Sequence, residues 1–245
     1  MTMLTRKLPA LVLTLAAGQL ALASGAGANP ELGKGLLSGL FAPSAAPAAP
    51  AAPPAAPPAA AAAPATGTPV QVEQKLAALK YDVGPADGNI DAQARGAIMA
   101  FQKVSHLPRT GELTSEVGAQ IMATNSPPGP LAANGEPHRV EVSLANQVLF
   151  LYQGGTLTKI LPVSTGTSAT PTPTGTYRIY RQDPGWHTSA LGRLHNAQYF
   201  VGGYAIHGSN SVPAEPASHG CIRIPMTASE WFPSQVAKGV QVIIV

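Results

Sequence analysis

The stretch RVEVSLANQVLFLY, residues 139–152, decides the fold class of the C-terminal part of the chain. Its first six residues alternate between apolar and polar side chains, and a second apolar run follows a turn at Ala145-Asn146. Alternation with a period of two is typical of a β-strand, and two such runs around a short polar turn predict a β-hairpin. The C-terminal part is therefore predicted to be mainly β.

The same signals continue on both sides of this stretch. Further strands are predicted at 158–163, 176–180, 203–206 and 240–245, and one helix, limited by Pro233, is predicted at 227–238. Many short strands separated by glycine and proline turns indicate a sandwich or barrel-like domain. Residues 182–202 read as a long connection that could include a lid, with His187 and His195 as solvated loop residues.

Residues 69–125 have a helical pattern instead. Apolar residues recur at i, i+4 and i+7 from Val72, and similar spacings from Ala94 and Val117 predict two more short helices. Asp91 and Thr114 are predicted N-caps of the second and third helix. The resulting all-α three-helix module is close to the smallest size that supports a core of its own.

The first 68 residues suggest export and a spacer. Arg6 and Lys7 precede an apolar run from Leu8 to Leu22 and then small residues, which is the order of a secretory signal peptide at 1–28. Cleavage is expected after Ala23 or Ala28, and an uncleaved anchor is the alternative. Residues 42–68 are mostly alanine and proline, which predicts a semi-rigid linker partly in polyproline II conformation.

The charge balance argues against nucleic acid as a partner. The whole chain carries a formal charge of +3, and residues 1–28 contribute Arg6 and Lys7 and no acid, so the remainder carries +3 − 2 = +1. No basic stripe with interleaved aromatic residues is present in the sequence.

The sequence Ser218-His219-Gly220-Cys221-Ile222-Arg223 holds the only cysteine of the chain, and His207 lies fourteen positions before it. A lone cysteine cannot form an internal disulfide, so it is inert, a partner for another molecule, or a nucleophile. Histidine can take the thiol proton and a nearby arginine favours the thiolate, so this setting favours a nucleophile.

These residues, with Ile206-His207-Gly208 upstream, resemble the active-site signature of the L,D-transpeptidases, the YkuD-type catalytic domain. The resemblance covers about residues 136–245 and extends to the stretches at 146–152, 163–166 and 172–175. The interval from His207 to Cys221 is short for that family, and Arg223 stands where many relatives carry asparagine. Both departures affect the shape of the pocket more than the type of reaction.

The helical module resembles the three-helix peptidoglycan-binding domain. The stretch from Val72 to Gly88, Ala100-Phe101-Gln102-Lys103, and the turn residues at 107–111 carry this resemblance. Its motif consists largely of core and turn residues, so Tyr81 and Phe101 are expected to pack. The fold class implied is thus multidomain, with a small all-α peptidoglycan-binding module before a mainly-β L,D-transpeptidase domain.

The resemblance and the chemistry together assign roles to nine residues. Cys221 is expected to be the nucleophile and His207 the general base, with a backbone carbonyl such as that of Gly208 orienting its ring. His219 is expected to line the site. Backbone N–H groups around His219, Gly220 and Cys221 are expected to form an oxyanion hole. Ser218 is expected to support the turn. Arg223 is expected to bind a substrate carboxylate, unless it pairs with an acid such as Glu215. Tyr204 and Trp186 are the remaining predicted substrate contacts.

The family reaction implied is acyl transfer on peptidoglycan stem peptides. A cysteine thioester forms, D-alanine leaves, and an amine on a second stem closes a cross-link between third-position residues. The resemblance also implies sensitivity to carbapenem-type inhibitors, no metal or cofactor, no stable membrane span after signal cleavage, and a place in the periplasm or cell wall of a bacterium.

Four alternatives remain open on the sequence alone. Water as the acceptor would make the protein an L,D-carboxypeptidase. His207, His219 and Cys221 could instead be zinc ligands of a hydrolase, although no metal-ligand spacing motif accompanies them. A cysteine transpeptidase of the sortase kind also pairs cysteine, histidine and arginine. The last alternative is a non-catalytic wall-binding protein of the same fold.

Overall fold

The computed structural model describes residues 66–189 and 191–245. All of these belong to one compact unit, residues 58–245. The predicted signal peptide at 1–28, and nearly all of the predicted linker at 42–68, lie outside the described residues. No helix among those that are described is long and apolar enough to cross a membrane.

The predicted helical module is present. Its three helices are α1 Pro69–Ala78, α2 Ala92–Val104 and α3 Ser115–Ala123. Thr68 begins α1 with a capping box that it forms with Gln71. The predicted caps are confirmed: the side chains of Asp91 and Thr114 accept hydrogen bonds from backbone N–H groups in the first turns of α2 and α3.

The C-terminal part is mainly β, as predicted. Its described strands, with one helix near the end, are β1 Arg139–Ser143, β2 Val148–Gln153, β3 Thr156–Pro162, β4 Gly175–Arg178, β5 Arg181–Ser189, β6 Gly192–Val201, β7 Tyr204–Ser209, β8 Ile222–Pro225, α4 Met226–Gln235 and β9 Gln241–Ile244. They form a five-stranded sheet in the order β3-β2-β1-β9-β4 and a four-stranded sheet in the order β5-β6-β7-β8. One apolar cluster contains residues of both sheets and of α4.

The prediction of a long connection at 182–202 is wrong. These residues form an antiparallel hairpin of β5 and β6, with Arg181 opposite Tyr199 and Thr188 opposite Arg193. None of the side chains of β5 for which burial is described is buried, so the period-two signal of a half-buried strand is missing there. His195 is not a solvated loop residue either, because it lies on β6 with only 9% of its surface exposed.

Strand β2 is buried on both faces, and this joins the helical module to the sheet. Leu149 and Leu151 point into the cluster shared by the two sheets. Val148, Phe150 and Tyr152 belong instead to the apolar cluster of the helical module. A strand with alternate side chains in two different cores is covered on both sides, so the helices and the sheet share one continuous interior. Tyr81 and Phe101 pack edge to face within it, with ring centroids 5.8 Å apart.

Polar contacts reinforce this junction at three places. Lys159 of β3 pairs with Asp82, with Nζ 2.7 Å from a carboxylate oxygen. Arg109 pairs with Glu215 at 3.2 Å. Lys103 of α2 is fully buried and donates to two backbone carbonyl groups of the β domain.

Candidate active site

The segment before β8 is a tight turn that presents Cys221. Gly220 has φ +107°, a backbone conformation that residues other than glycine rarely adopt. A Cβ atom at this position would lie 2.2 Å from a ring carbon of Tyr204. The Ser218 hydroxyl closes the turn by donating to the carbonyl of Cys221 at 2.6 Å and accepting from the N–H of Gly220 at 3.0 Å.

A loop after β3 holds this turn from behind. The backbone carbonyl of Thr165 accepts hydrogen bonds from the N–H groups of Ala217 and Ser218, both at 3.0 Å. The Thr172 hydroxyl donates to the carbonyl of Gly220 at 2.8 Å and accepts from the N–H of Gly166 at 2.9 Å. The turn is therefore fixed by backbone and hydroxyl groups of a neighbouring segment, which limits its motion.

The parallel pairing of β7 with β8 places His207 next to Arg223. Cys221 directly precedes β8, and alternation along the strand sends Cys221 and Arg223 to the face opposite Ile222 and Ile224, which are buried in the core. A cavity of about 480 Å³ opens on this face, lined by Ser189, Leu191, Gly192, Arg193, Leu194, Tyr199, Gly203, His207, Ser209, Ser211, Ser218, His219, Cys221 and Arg223.

The ring of His207 is held by a backbone carbonyl. Its Nδ1 lies 2.9 Å from the carbonyl oxygen of Gly208. A carbonyl only accepts, so Nδ1 carries the hydrogen, and Nε2 of the neutral ring keeps a free lone pair. Burial lowers the pKa of His207, opposed by the Gly208 hydrogen bond and assisted by the positive charge of Arg223. The free nitrogen is therefore unprotonated at neutral pH and able to act as a base.

Burial has the opposite consequence for the thiol. It raises the pKa of Cys221, while a hydrogen bond from the backbone of Ala205 and the charge of Arg223 act in the lowering direction. Cys221 packs against Leu194, Ala197 and Tyr199 of β6. The resting thiol is therefore protonated, and it needs a base to become a nucleophile.

The alternative partner considered for Arg223 is engaged elsewhere. Glu215 pairs with Arg109 of the helical module. Within the described residues, Arg223 forms no salt bridge to a carboxylate. Its half-buried guanidinium thus faces the cavity with its donors open to an anionic group.

Of the other predicted site residues, His219 reaches the cavity, whereas Tyr204 and Trp186 do not line it. His219 is exposed at the rim of the cavity. Tyr204 does not line the cavity; it is partly buried against the core and supports Gly220 from below. Trp186 does not line it either, because it packs against His195, with ring centroids 4.9 Å apart, and under the guanidinium of Arg193.

The predicted set of oxyanion donors needs a correction. The N–H of Gly220 already donates to the Ser218 hydroxyl, so it is not free to meet a developing negative charge. The backbone N–H groups of His219 and Cys221 remain as candidates. Gly208 supports the site through its carbonyl rather than its amide, and it also lacks room for a side chain, since a Cβ would lie 2.3 Å from Oγ of Ser229.

Comparisons with known proteins agree with this geometry. Residues 137–244 match the family described as "L,D-transpeptidase catalytic domain". Residues 68–121 match the family described as "Putative peptidoglycan binding domain". A crystal structure of an L,D-transpeptidase from Xylanimonas cellulosilytica is 32% identical in sequence, and the match covers 72% of this chain and 92% of that one with a TM-score of 0.66.

The chain belongs to the L,D-transpeptidase family. A protein of Bacillus licheniformis named "Putative L,D-transpeptidase YkuD" is 32% identical over 117 residues, which are 44% of this chain and 66% of that protein. An L,D-transpeptidase structure from Stackebrandtia nassauensis is 26% identical and covers 72% of this chain and 90% of that one, with a TM-score of 0.46.

Several residues around the L,D-transpeptidase site were not identified from the sequence. Leu194 and Arg193 reach the cavity from β6, a strand within the stretch that was predicted to be a long connection. The apolar and aromatic residues between 194 and 201 were the available signal for it. Thr165 and Thr172 form hydrogen bonds with backbone groups of residues 217–220, about 50 residues away along the chain. No local sequence pattern indicates such contacts.

In residues 66–189 and 191–245 no group of three or more histidine, cysteine, aspartate or glutamate side chains has an arrangement that could hold a metal ion. Metal analysis of the purified protein tests the zinc alternative directly.

Proposed function

We propose that this protein is a peptidoglycan L,D-transpeptidase that works through a thioester on Cys221. The main support is one geometric fact: His207, Cys221 and Arg223 line the same cavity, and the Nδ1 contact to Gly208 leaves Nε2 of His207 free. A neutral base beside a protonated thiol is the resting pair that acyl transfer requires.

The proposed acylation step is balanced in protons. Nε2 of His207 takes the thiol proton while the sulfur attacks the carbonyl carbon between the third stem residue and D-alanine. Backbone N–H groups at His219 and Cys221 stabilise the oxyanion. The intermediate then expels the D-alanine amine, which receives the proton from His207 as the C–N bond breaks, and a thioester remains.

Deacylation decides between the two products. An amine of a second stem, deprotonated by His207, attacks the thioester carbonyl and forms the cross-link as the sulfur leaves and regains a proton. Water in the same position would release a tripeptide, which is the carboxypeptidase alternative. The reaction needs no metal or cofactor in this scheme.

The experiment is intact-mass spectrometry of the protein mixed with a disaccharide-tetrapeptide. A mass increase equal to the substrate minus D-alanine, absent in Cys221→Ala, is the expected result. A carbapenem such as imipenem should add one equivalent to the wild-type chain and none to the variant. An adduct that persists in Cys221→Ala would overturn the assignment of the nucleophile. Products with and without an added acceptor stem separate transpeptidase from carboxypeptidase activity, and a sorting peptide in place of the muropeptide tests the sortase alternative.

We extend the proposal to the helical module, which is expected to bind peptidoglycan near the catalytic cavity. Its support is the family match over residues 68–121 together with the shared interior that fixes the module to the β domain. Sedimentation of the Cys221→Ala chain with purified peptidoglycan tests this part. Protein that stays in the supernatant, while the wild-type chain acts normally on isolated stems, would assign the module a structural role only.

A further inference from the structure

Lys103 has an unusual position for a lysine. It lies on α2 of the helical module, none of its surface is exposed, and its Nζ donates to the carbonyl groups of Val163 at 2.9 Å and Gln147 at 3.1 Å. Lysines are almost never fully buried, because burial of the charge is costly. Burial lowers the pKa of Lys103 to about 7, with the charge of Arg109 acting in the same direction and that of Glu215 opposing it. Charged or neutral, the amine has enough N–H groups for both carbonyls.

One of these carbonyls belongs to a residue in a strained conformation. Gln147 has φ +56°, which residues with side chains seldom adopt. Its side chain forms two hydrogen bonds with Thr165, donating to the hydroxyl at 2.7 Å and accepting from the backbone N–H at 2.8 Å. Thr165 in turn accepts from the N–H groups of Ala217 and Ser218. Two residues, Gln147 and Thr165, thus connect Lys103 by hydrogen bonds to the turn that carries Cys221.

The other carbonyl leads to the same place by a second route. Val163 precedes Ser164, whose backbone pairs with that of Arg223 in both directions, at 3.1 and 3.0 Å. The Ser164 hydroxyl donates to the carbonyl of Glu215 at 2.7 Å. The first route ends at Ser218, before Cys221, and the second ends at Arg223, after it. A shift of the two carbonyl groups that accept from Lys103 would therefore move the turn and the start of β8 together.

The two ion pairs across the junction have side chains that are more exposed than Lys103. Lys159 lies on β3, an outer strand of the five-stranded sheet, and pairs with Asp82. The Lys159 side chain is 41% exposed. Arg109 meets the carboxylate of Glu215, whose side chain is 69% exposed. Exposed pairs of this kind contribute little energy. The hydrogen bonds of Lys103, in contrast, are buried.

We propose that Lys103 is a positioning residue through which the helical module holds the Cys221 turn in its reactive geometry. The proposal rests on the role of Cys221 proposed above. Its consequence is that the module contributes to the rate of the chemical step, in addition to any affinity for the wall.

The test compares Lys103→Met with Lys159→Met in the full chain. Methionine keeps most of the volume at position 103 but removes both donors. The expected result for Lys103→Met is a fall of about tenfold or more in the maximal rate of Cys221 acylation by imipenem, because small displacements of reacting groups have effects of this size. The half-saturating concentration of imipenem should change less than about twofold on the same reasoning. Amide hydrogen exchange should become faster at residues 164–166 and 217–221.

Lys159→Met is the matched control, since it removes another lysine contact across the same junction. It should leave the acylation rate and the exchange of both segments as in the wild-type chain. A folded Lys103→Met chain with wild-type acylation and unchanged exchange at 164–166 and 217–221 would overturn the proposal. So would an equal loss of rate in both variants, because that result would follow from stability alone.

A second variant covers the case in which Lys103→Met does not fold. Thr165→Val removes the hydroxyl that accepts from Gln147 and keeps the backbone contacts, so it should show the same loss of rate and the same faster exchange at 217–221. Wild-type behaviour of Thr165→Val would then refute the proposal. If the wild-type chain shows no acylation of Cys221, the proposed function fails, and the exchange comparison alone decides the positioning role.

Discussion

Burial favours the uncharged forms of the proposed base His207 and the proposed nucleophile Cys221. It lowers the pKa of His207 and raises that of Cys221, and both shifts disfavour a thiolate–imidazolium pair in the free protein. Many cysteine enzymes depend on a pre-ionised thiol. In the proposed reaction the proton transfer belongs to the chemical step, so the pH dependence of the acylation rate tests it.

Replacement of His207 by alanine should slow acylation about 10²-fold or more at neutral pH, because a general base contributes that much. In the wild-type chain the rate should fall only below the ordinary histidine value of 6.5, since the folded pKa is lowered and the neutral base persists to lower pH. In His207→Ala the rate should keep rising with pH to above 9.0, where the buried thiol ionises by itself.

Stopped-flow measurement of imipenem acylation between pH 5 and 10 checks this prediction, with circular dichroism as the control for folding. A variant with the wild-type rate at neutral pH would transfer the role of base to His219, the other histidine at this cavity.

Arg223 is predicted to bind a carboxylate of the stem peptide. Arg223→Lys keeps the charge but loses the fork of donors, so KM should rise strongly for a stem with a free carboxylate and little for an amidated one. Alkylation of Cys221 by a neutral reagent such as iodoacetamide should hardly change. An equal penalty on both stems would show that Arg223 supports the loop or tunes the thiol instead.

Arg223→Gln is the complementary variant. The positive charge lowers the pKa of both His207 and Cys221, so its removal should raise both. The whole pH profile of acylation should move to higher pH, whereas the profile of Arg223→Lys should stay in place.

The turn from Ser218 to Cys221 leaves little room for an added side-chain atom. In Gly220→Ala the new Cβ would meet the Tyr204 ring, and the backbone would be held at a positive φ. Strain and overpacking together should lower the free energy of unfolding by about 2–4 kcal/mol. Gly154→Ala, also at positive φ but with no atom within 4 Å of the added group, should cost only about 1 kcal/mol. Urea denaturation of the two variants gives the comparison, and equal losses would contradict the role of the Tyr204 contact.

The elements also show what the sequence can predict. Periodicity and caps identified the three helices, and alternation identified the strands that have one face in a core. The hairpin of β5 and β6 was missed because the side chains of β5 are mostly polar and none is buried. Its strand conformation therefore comes from hydrogen bonds with β6 rather than from its own pattern. Cys221 and His207 were predicted as site residues from motif and chemistry, and the structure places both at one cavity.

Contacts distant in sequence account for the rest. Lys103 was quoted only as part of the peptidoglycan-binding motif, and nothing near it in sequence indicates that its partners are 44 and 60 residues away. Glu215 was considered as a partner of Arg223, but Arg109, 106 residues from it, binds it instead. Local patterns cannot rank such competing partners.

For the whole molecule, the shared interior predicts that residues 66–245 unfold as one unit. The apolar cluster that contains Phe101 of the helical module also contains Phe150 and Ile160 of the β domain, so neither part keeps its core without the other. Differential scanning calorimetry should show a single transition whose calorimetric and van't Hoff enthalpies agree. Phe101→Ala should lower its midpoint without splitting it. Two separated transitions would show that the modules are independent.

The contact between Tyr81 and Ile160 has a further consequence for how the chain reaches this state. The backbone of Ile160 donates to Lys80 and accepts from Asp82, so the helical module pairs with the outer strand β3 of the five-stranded sheet at this position. An open sheet edge is a template for pairing with another chain. The segment that closes it comes earlier in the sequence and emerges first during synthesis. The residues that pair with Ile160 are thus already synthesised when β3 emerges, and they cover this position of the sheet edge once the two parts fold together.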